Sequence, residues 1–107
     1  MDFSITVDTS PPNAFVKARG ELDLFTSHQL SRRLHDAVDG GCRRVLLDLT
    51  DVSFADASAL RALDRVRTQF AEVDGSLRIV GWSPRFQRLC HMTGLETTFG
   101  LSAPLPA

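Results

Sequence analysis

The polar residues best suited to chemistry fall in one short stretch of the sequence and are carboxylates and hydroxyls. They are Asp48, Asp51, Ser53, Asp56 and Ser58. The stretch begins within a nearly continuous apolar run, residues 44–49, which is typical of a central strand that is covered on both faces or at least lies well inside the sheet. Asp56 stands where a helix should begin, and an acid there caps free backbone N–H groups. The pattern predicts a polar strand-to-helix junction, where α/β folds usually carry function.

Enzymatic uses of this junction find little support in the sequence. Three aspartates can hold Mg²⁺, but Asp48 lies inside the strand run and is expected to point away from the others. A receiver-type phosphoacceptor site needs a lysine, and the single one, Lys17, falls on a predicted hairpin. Ser58 lacks a Gly-x-Ser-x-Gly elbow and a histidine to serve it. We expect a protein that is not an enzyme, with no catalytic residue, metal or cofactor.

The histidines and cysteines do not form a site by their spacing. His28 and His35 lie seven residues apart, too far along a helix for one metal ion, and His91 stands alone near a helix end. Surface or capping roles are expected for all three. Cys42 and Cys90 fit no metal or redox motif and are predicted to be reduced thiols of a cytoplasmic protein, with a redox switch possible only if they are close in space.

Composition and charge limit the classes of partner. The 107 residues are 43% hydrophobic and 23% charged, as in one soluble domain. Twelve basic residues against thirteen acidic ones leave a net charge of −1, without the basic excess of a nucleic-acid binder. Residues 1–4 do not resemble a signal peptide, and no apolar run approaches the ~20 residues of a membrane span. We expect neither direct nucleic-acid binding nor membrane insertion.

The first half of the chain predicts a hairpin and a helix. Residues 3–7 alternate as a half-buried strand does, and residues 14–18 return antiparallel after a Ser-Pro-Pro-Asn turn, with Gly20 ending the second strand. The first helix is predicted to begin near Thr26, where Thr-Ser-His-Gln matches a capping box. Its apolar stripe comprises Leu30, Leu34, Ala37 and Val38.

The second half predicts two further helices separated by a short strand. The buried face of the second helix comprises Ala59, Leu63, Val66 and Phe70. A strand follows at 77–80, and Ser83-Pro84 starts a third helix that Gly94 closes. The inner residues of that helix are Phe86, Leu89 and Cys90. Residues 95–101 could hold a last strand, and residues 102–107 should form a frayed tail.

These elements predict a single α/β domain over residues 1–107, with its core at about 3–101. The order is β-β-α-β-α-β-α, with an optional final β. The sheet is predicted to be mixed, with four to five strands and packed helices.

Three segments of the chain resemble blocks of the STAS domain. The first is Gly-Glu-Leu-Asp at 20–23, ahead of a Thr-capped helix. The second, at 45–56, resembles the central strand and its Phe-x-Asp turn. The third, at 83–95, resembles a helix that opens with Ser-Pro and ends in Met-Thr-Gly-Leu. The blocks keep the family's order and spacing, and the pattern is most similar to bacterial anti-sigma-factor antagonists.

The resemblance implies a partner and a switch. Such an antagonist binds an anti-sigma factor of the serine-kinase type and so frees a sigma factor. The kinase phosphorylates a serine at the start of the second helix, and about two new negative charges then oppose docking. In this chain the acceptor position is Ala57 and the following glycine position is Ala59. Ser58 matches the second serine and points about 100° away around the helix.

Three readings of the function follow from that departure. The chain is an antagonist that cannot be switched off at this site, a STAS interaction module of another assembly (stress signalling, lipid trafficking or transport regulation), or an antagonist phosphorylated at Ser58. A monomer is favoured. The resemblance implies that the partner contacts are Asp23, Asp56, Ala57, Ser58, Ala59 and Leu60. A local hydrogen bond to the backbone is an equal alternative for Asp23, and core burial is an equal alternative for Leu60. Phe54 is expected in the core, with a partner contact as its alternative.

Overall fold

A hairpin opens the fold, and its second strand is longer than the sequence predicts. In the computed structural model, which describes residues 2–101, β1 (Ser4–Ser10) pairs antiparallel with β2 (Asn13–Leu22). The sequence pattern predicts that Gly20 ends β2, but Gly20 lies within the strand, at φ +113°. A Cβ at this position would lie 3.0 Å from the Cα of Phe3. Glycine therefore lets β2 continue closely past the preceding segment of chain.

Two parallel pairings complete the sheet. Strand β3 (Arg44–Ala55) runs parallel to β2, and β4 (Ser76–Gly81) runs parallel to β3, giving the order β1-β2-β3-β4. The sheet is mixed and four-stranded, as predicted. Strand β3 extends well beyond the predicted 44–49, so the acidic stretch after the apolar run still belongs to a strand.

Three helices connect or follow the parallel strands. They are α1 (Leu24–Asp39), α2 (Ala57–Ala71) and α3 (Pro84–Met92). Helices α1 and α2 pack against each other and against the sheet. Every residue predicted for their apolar stripes is buried, and Leu60 joins the stripe of α2. Because an amphipathic helix buries a face about 100° wide, one extra position per turn is ordinary.

The sheet buries only one of its faces, so β3 is not covered on both. The alternative expectation, a strand well inside the sheet, holds, because β3 lies between β2 and β4. Val45, Leu47 and Leu49 are buried, whereas Leu46 between them is only partly so. Its partner on β2, Phe15, is 41% exposed. The apolar run in β3 therefore combines a buried face with an exposed face that carries one leucine.

The segment after α3 forms turns rather than the possible fifth strand. It is anchored all the same, because Phe99 is buried and the carbonyl of Leu101 accepts a 2.7 Å hydrogen bond from Gln87 Nε2. The Trp82 indole N–H donates to Gln87 Oε1 at 3.2 Å. The tail predicted at 102–107 lies outside the described residues.

Candidate functional site

The junction singled out from the sequence is the turn from β3 into α2. Asp56 is the N-cap of α2, as predicted, and its Oδ1 accepts hydrogen bonds from the Ala59 N–H at 2.9 Å and the Ser58 hydroxyl at 2.6 Å. The Asp56 backbone N–H donates to the carbonyl of Leu22 at 3.2 Å. The cap is thereby fixed both to its own helix and to the end of β2.

A second capped helix begins beside the first. Asp23 is the N-cap of α1, where its Oδ1 accepts from the Thr26 N–H at 2.9 Å and the Thr26 hydroxyl accepts from the Asp23 N–H at 2.8 Å. This capping box corrects the predicted one at residues 26–29, and α1 accordingly starts at Leu24 rather than near Thr26. The aspartate at the N-cap and the threonine three residues later each accept a hydrogen bond from the other's backbone N–H, so neither N–H is left without a partner at the start of the helix.

Strand register brings these two caps to one edge of the sheet. Leu22 and Ala55 are paired residues of the parallel strands β2 and β3, and Asp23 and Asp56 come directly after them. The positive ends of two helix dipoles therefore lie at the same edge. Hydrogen bonds from Thr26 hold the pKa of the Asp23 carboxyl below its usual value. The bond from the backbone N–H of Thr26 has the largest effect, and the bond from its hydroxyl comes next.

The predicted contact residues divide between surface and core. Asp23, Asp56, Ala57 and Ser58 are each partly exposed. Ala59 and Leu60 are fully buried, at 0% exposure, so their prediction as direct contacts is corrected and the core alternative for Leu60 holds. The reason is geometric: Ala59 and Leu60 lie four and three positions before Leu63, on the face that α2 turns to the sheet.

Exposed apolar side chains flank the two caps. Leu24 and Phe25, at the start of α1, are 59% and 70% exposed. Phe54, predicted for the core, is 46% exposed because it lies beyond Val52, the last fully buried residue of β3. We name the surface formed by Asp23, Leu24, Phe25, Phe54, Asp56, Ala57 and Ser58 the cap surface. Sequence reasoning missed Leu24 and Phe25; the signal was two large apolar residues directly after the cap of an amphipathic helix.

The other aspartates of the stretch are engaged elsewhere. Asp48 Oδ1 accepts hydrogen bonds from the hydroxyl of Thr50 at 2.6 Å and from the Thr50 N–H at 2.9 Å. Both bonds lower the pKa of Asp48, and the bond from the hydroxyl has the larger effect. Asp51 pairs with Lys17 at 3.2 Å. Among residues 2–101, no three His, Cys, Asp or Glu side chains lie together as metal ligands would. The five polar residues therefore do not form one cluster.

The histidines and cysteines have structural surroundings. His35 bonds to Gln69 Oε1 at 2.9 Å and packs edge-on against Phe70, and His91 meets Glu96 at 3.0 Å. Cys42 and Cys90 are buried free thiols. Burial, with a smaller effect of Glu96, raises the pKa of Cys90 to about 11. A thiol that stays protonated is a poor nucleophile.

No helix within the described chain has both the length and the apolar content to cross a bilayer.

A groove opens next to the cap surface, between the end of β3 and one face of α3. Its volume is about 420 Å³, and Val52 and Phe86 lie at its buried floor. Ser53 and Arg85 stand at its rim, where the guanidinium donates to the Ser53 carbonyl at 3.4 Å. The sequence offered a signal for this wall, since residues 85, 88, 89 and 92 share one face of a helix.

The fold and the site together define a class of small α/β domain in which two capped helix starts share one edge of a mixed sheet. The chain belongs to the STAS domain family, whose model matches residues 4–105.

Named relatives and solved structures agree with that assignment. The chain is 30% identical over 95 residues to the anti-sigma-B factor antagonist of Staphylococcus aureus, covering 87% of this chain and 88% of that protein. It is 31% identical over 96 residues to the protein of the same name from Staphylococcus epidermidis, covering 90% and 89%. An anti-sigma factor antagonist from Mycobacterium paratuberculosis superposes with a TM-score of 0.80 at 24% identity, covering 97% of this chain and 88% of that one.

Two further solved structures share the fold. The unphosphorylated form of the anti-sigma factor antagonist SpoIIAA superposes with a TM-score of 0.74 at 18% identity, covering 88% of this chain and 84% of that one. A phosphorylated form of SpoIIAA from Bacillus is also known and superposes with a TM-score of 0.69 at 18% identity, covering 88% and 86%. At this identity the likeness concerns the fold.

Proposed function

We propose that this protein is an anti-sigma-factor antagonist: a cytoplasmic binding protein, not an enzyme, that binds an anti-sigma factor of the serine-kinase type and so frees a sigma factor. The relatives' names and the shared fold support the class of partner. The observation that carries the proposal is the cap surface, where polar caps and exposed apolar side chains occur together. Exposed aromatic and aliphatic side chains beside polar groups that can form hydrogen bonds are common at protein interfaces.

The second part of the proposal is that docking escapes the usual off-switch. Ala57 is the first residue of α2 and is partly exposed, at the position where the resemblance implies a phosphorylated serine. Alanine has no hydroxyl, so no phosphate can be attached there. The helix start stays uncharged except for its cap, and the partner complex persists in the presence of kinase and ATP.

Ser58 is a poor substitute acceptor. Its hydroxyl donates to the Asp56 carboxylate at 2.6 Å, and that carboxylate is also engaged by Ala59. A phosphate on Ser58 would break this bond and place further negative charge beside Asp56. We therefore favour an antagonist that is not phosphorylated at the start of α2 over one that is phosphorylated at Ser58.

The deciding experiment measures affinity for the kinase-type anti-sigma factor of the source organism by isothermal titration calorimetry. We expect one partner molecule per chain, and Ala57→Asp should weaken binding at least tenfold by adding an unpaired charge to the interface. Arg65→Gln, which changes an exposed residue further along α2, is the matched control and should bind as the wild type does. No binding by the wild type, or equal binding by Ala57→Asp, contradicts the proposal.

A phosphorylation assay tests the missing switch. Incubation with the kinase and ATP, read by intact mass, should leave the wild-type chain unchanged, while Ala57→Ser gains one phosphate. If the wild-type chain gains a phosphate and the Ser58→Ala variant does not, the result supports phosphorylation at Ser58 and refutes the proposal that the chain has no off-switch. Binding to another assembly, with no affinity for any such anti-sigma factor, would favour the interaction-module alternative.

A further inference from the structure

The groove between β3 and α3 has the size and lining of a small-molecule site. Its volume of about 420 Å³ falls within the range of roughly 300–1,000 Å³ that is usual for ligand pockets. The floor is apolar, formed by Val52 and Phe86 at 2% exposure each. Phe54 and Met92, 46% and 73% exposed, extend this apolar lining to the groove's mouth.

Two cations stand on one wall of this groove. Arg85 and Arg88, three residues apart on α3, both line it and both are exposed. The three ion pairs of residues 2–101 involve other side chains, so within that part of the chain neither guanidinium has an acidic partner. An apolar groove beside two guanidinium groups that have no acidic partner among residues 2–101 is complementary to a molecule with an anionic head and an apolar tail.

We propose that this groove binds a soluble anionic amphiphile, a phosphomonoester or carboxylate carrying a medium-length alkyl chain. The head group is held by Arg85 and Arg88, and the chain lies over Phe54, Leu89 and Met92. Guanidinium groups pair with phosphate and carboxylate oxygens through two parallel hydrogen bonds, which explains the preference for those head groups. The groove adjoins the cap surface and shares Phe54 with it, but its binding test requires neither an anti-sigma factor nor a particular residue at position 57, so the two proposals can fail separately.

The test uses octyl phosphate and butyl phosphate as probes, titrated into the wild-type chain by calorimetry and by methyl NMR. Octyl phosphate should bind with one molecule per chain and shift the Met92 methyl signal. Each buried methylene strengthens binding about fourfold, so butyl phosphate, with four fewer methylenes, should bind roughly 250-fold more weakly. Equal affinity for the two probes overturns the proposal, because the tail would then not occupy the groove.

Variants assign the head group. Arg85→Gln/Arg88→Gln should weaken octyl phosphate at least tenfold, and Arg65→Gln, an arginine of α2 outside the groove, should leave binding unchanged. Circular dichroism of each variant verifies the fold. Unchanged binding by the double variant overturns the proposal. Binding to vesicles containing phosphatidic acid without binding to free octyl phosphate also overturns it, because the arginines would then serve a membrane surface.

Discussion

Single side chains at the cap surface do two tasks, and Asp56 illustrates both. Its carboxylate is a partly exposed acid beside the proposed docking position, and it also satisfies two donors at the start of α2. The capping role was predictable from the sequence, because an acid before an amphipathic stretch has few other local uses. The bond from Ser58 was not, because a serine at the second position of a helix has several acceptors within reach.

Replacing the cap should destabilise the protein by a measurable amount. Asp56→Ala removes the acceptor for the Ala59 N–H, and we expect the free energy of unfolding to fall by about 1 kcal/mol. Asp56→Asn keeps an oxygen in place and should lose only a fraction of that. Urea denaturation at pH 7 compares the three proteins, and equal losses for both variants would contradict a capping role.

The lowered pKa of Asp23 predicts an acid-dependent contribution to stability. A carboxylate with a folded-state pKa below its unfolded value stabilises the fold above the unfolded pKa, and this contribution is lost as pH falls through the folded one. Between pH 5 and pH 3 the wild type should therefore lose more stability than Asp23→Asn, which keeps an uncharged acceptor. Urea midpoints at both pH values measure the difference, and parallel losses would refute the assignment.

At the scale of elements, sequence periodicity located the helices and strands but not their ends. The buried stripes of α1 and α2 follow from apolar spacing, whereas β2 runs through Gly20 and β3 runs through a polar stretch. Strand ends depend on what the neighbouring strand offers, and long-range pairing of that kind leaves no local signal. The placement of Asp23 and Asp56 at the same edge of the sheet likewise depends on the register that pairs Leu22 with Ala55.

The passage of β2 through Gly20 should tolerate no side chain. Gly20→Ala adds both left-handed backbone strain, at φ +113°, and a contact at 3.0 Å with the backbone of Phe3. Gly41→Ala is the matched control, since Gly41 has φ +104° and open space around the position of its missing Cβ. Thermal unfolding should show Gly20→Ala to be the more damaging by more than about 1 kcal/mol. Equal effects would mean that the close contact relaxes freely.

For the whole molecule, the one-sided sheet decides which apolar residues build the core. Sequence alone could not assign the roles of Leu60 and Phe54, since both are large and apolar near the same junction. The structure buries the first completely and leaves the second 46% exposed. Leu60 is in the core and Phe54 is at the surface because of where the helix layer ends over the sheet, and only the assembled fold defines that position.

Truncation separates the two roles. Leu60→Ala should reduce the free energy of unfolding by about 2–5 kcal/mol, as cavity-forming changes do. Leu24→Ala, at a leucine 59% exposed, is the control and should cost under about 1 kcal/mol. Chemical denaturation followed by the fluorescence of the single tryptophan, Trp82, provides the measurement. A mild Leu60→Ala variant would place that side chain outside the core.

The two helix starts at one sheet edge give an added carboxylate opposite effects on folding and on association. In the protein without its partner, Ala57→Asp adds a carboxylate to the first turn of α2, where the dipole favours an anion by about 0.3–1 kcal/mol. The same change is expected to repel the partner. A melting temperature that rises while affinity falls would thus trace the binding defect to the surface itself, free of any confusion with a damaged fold.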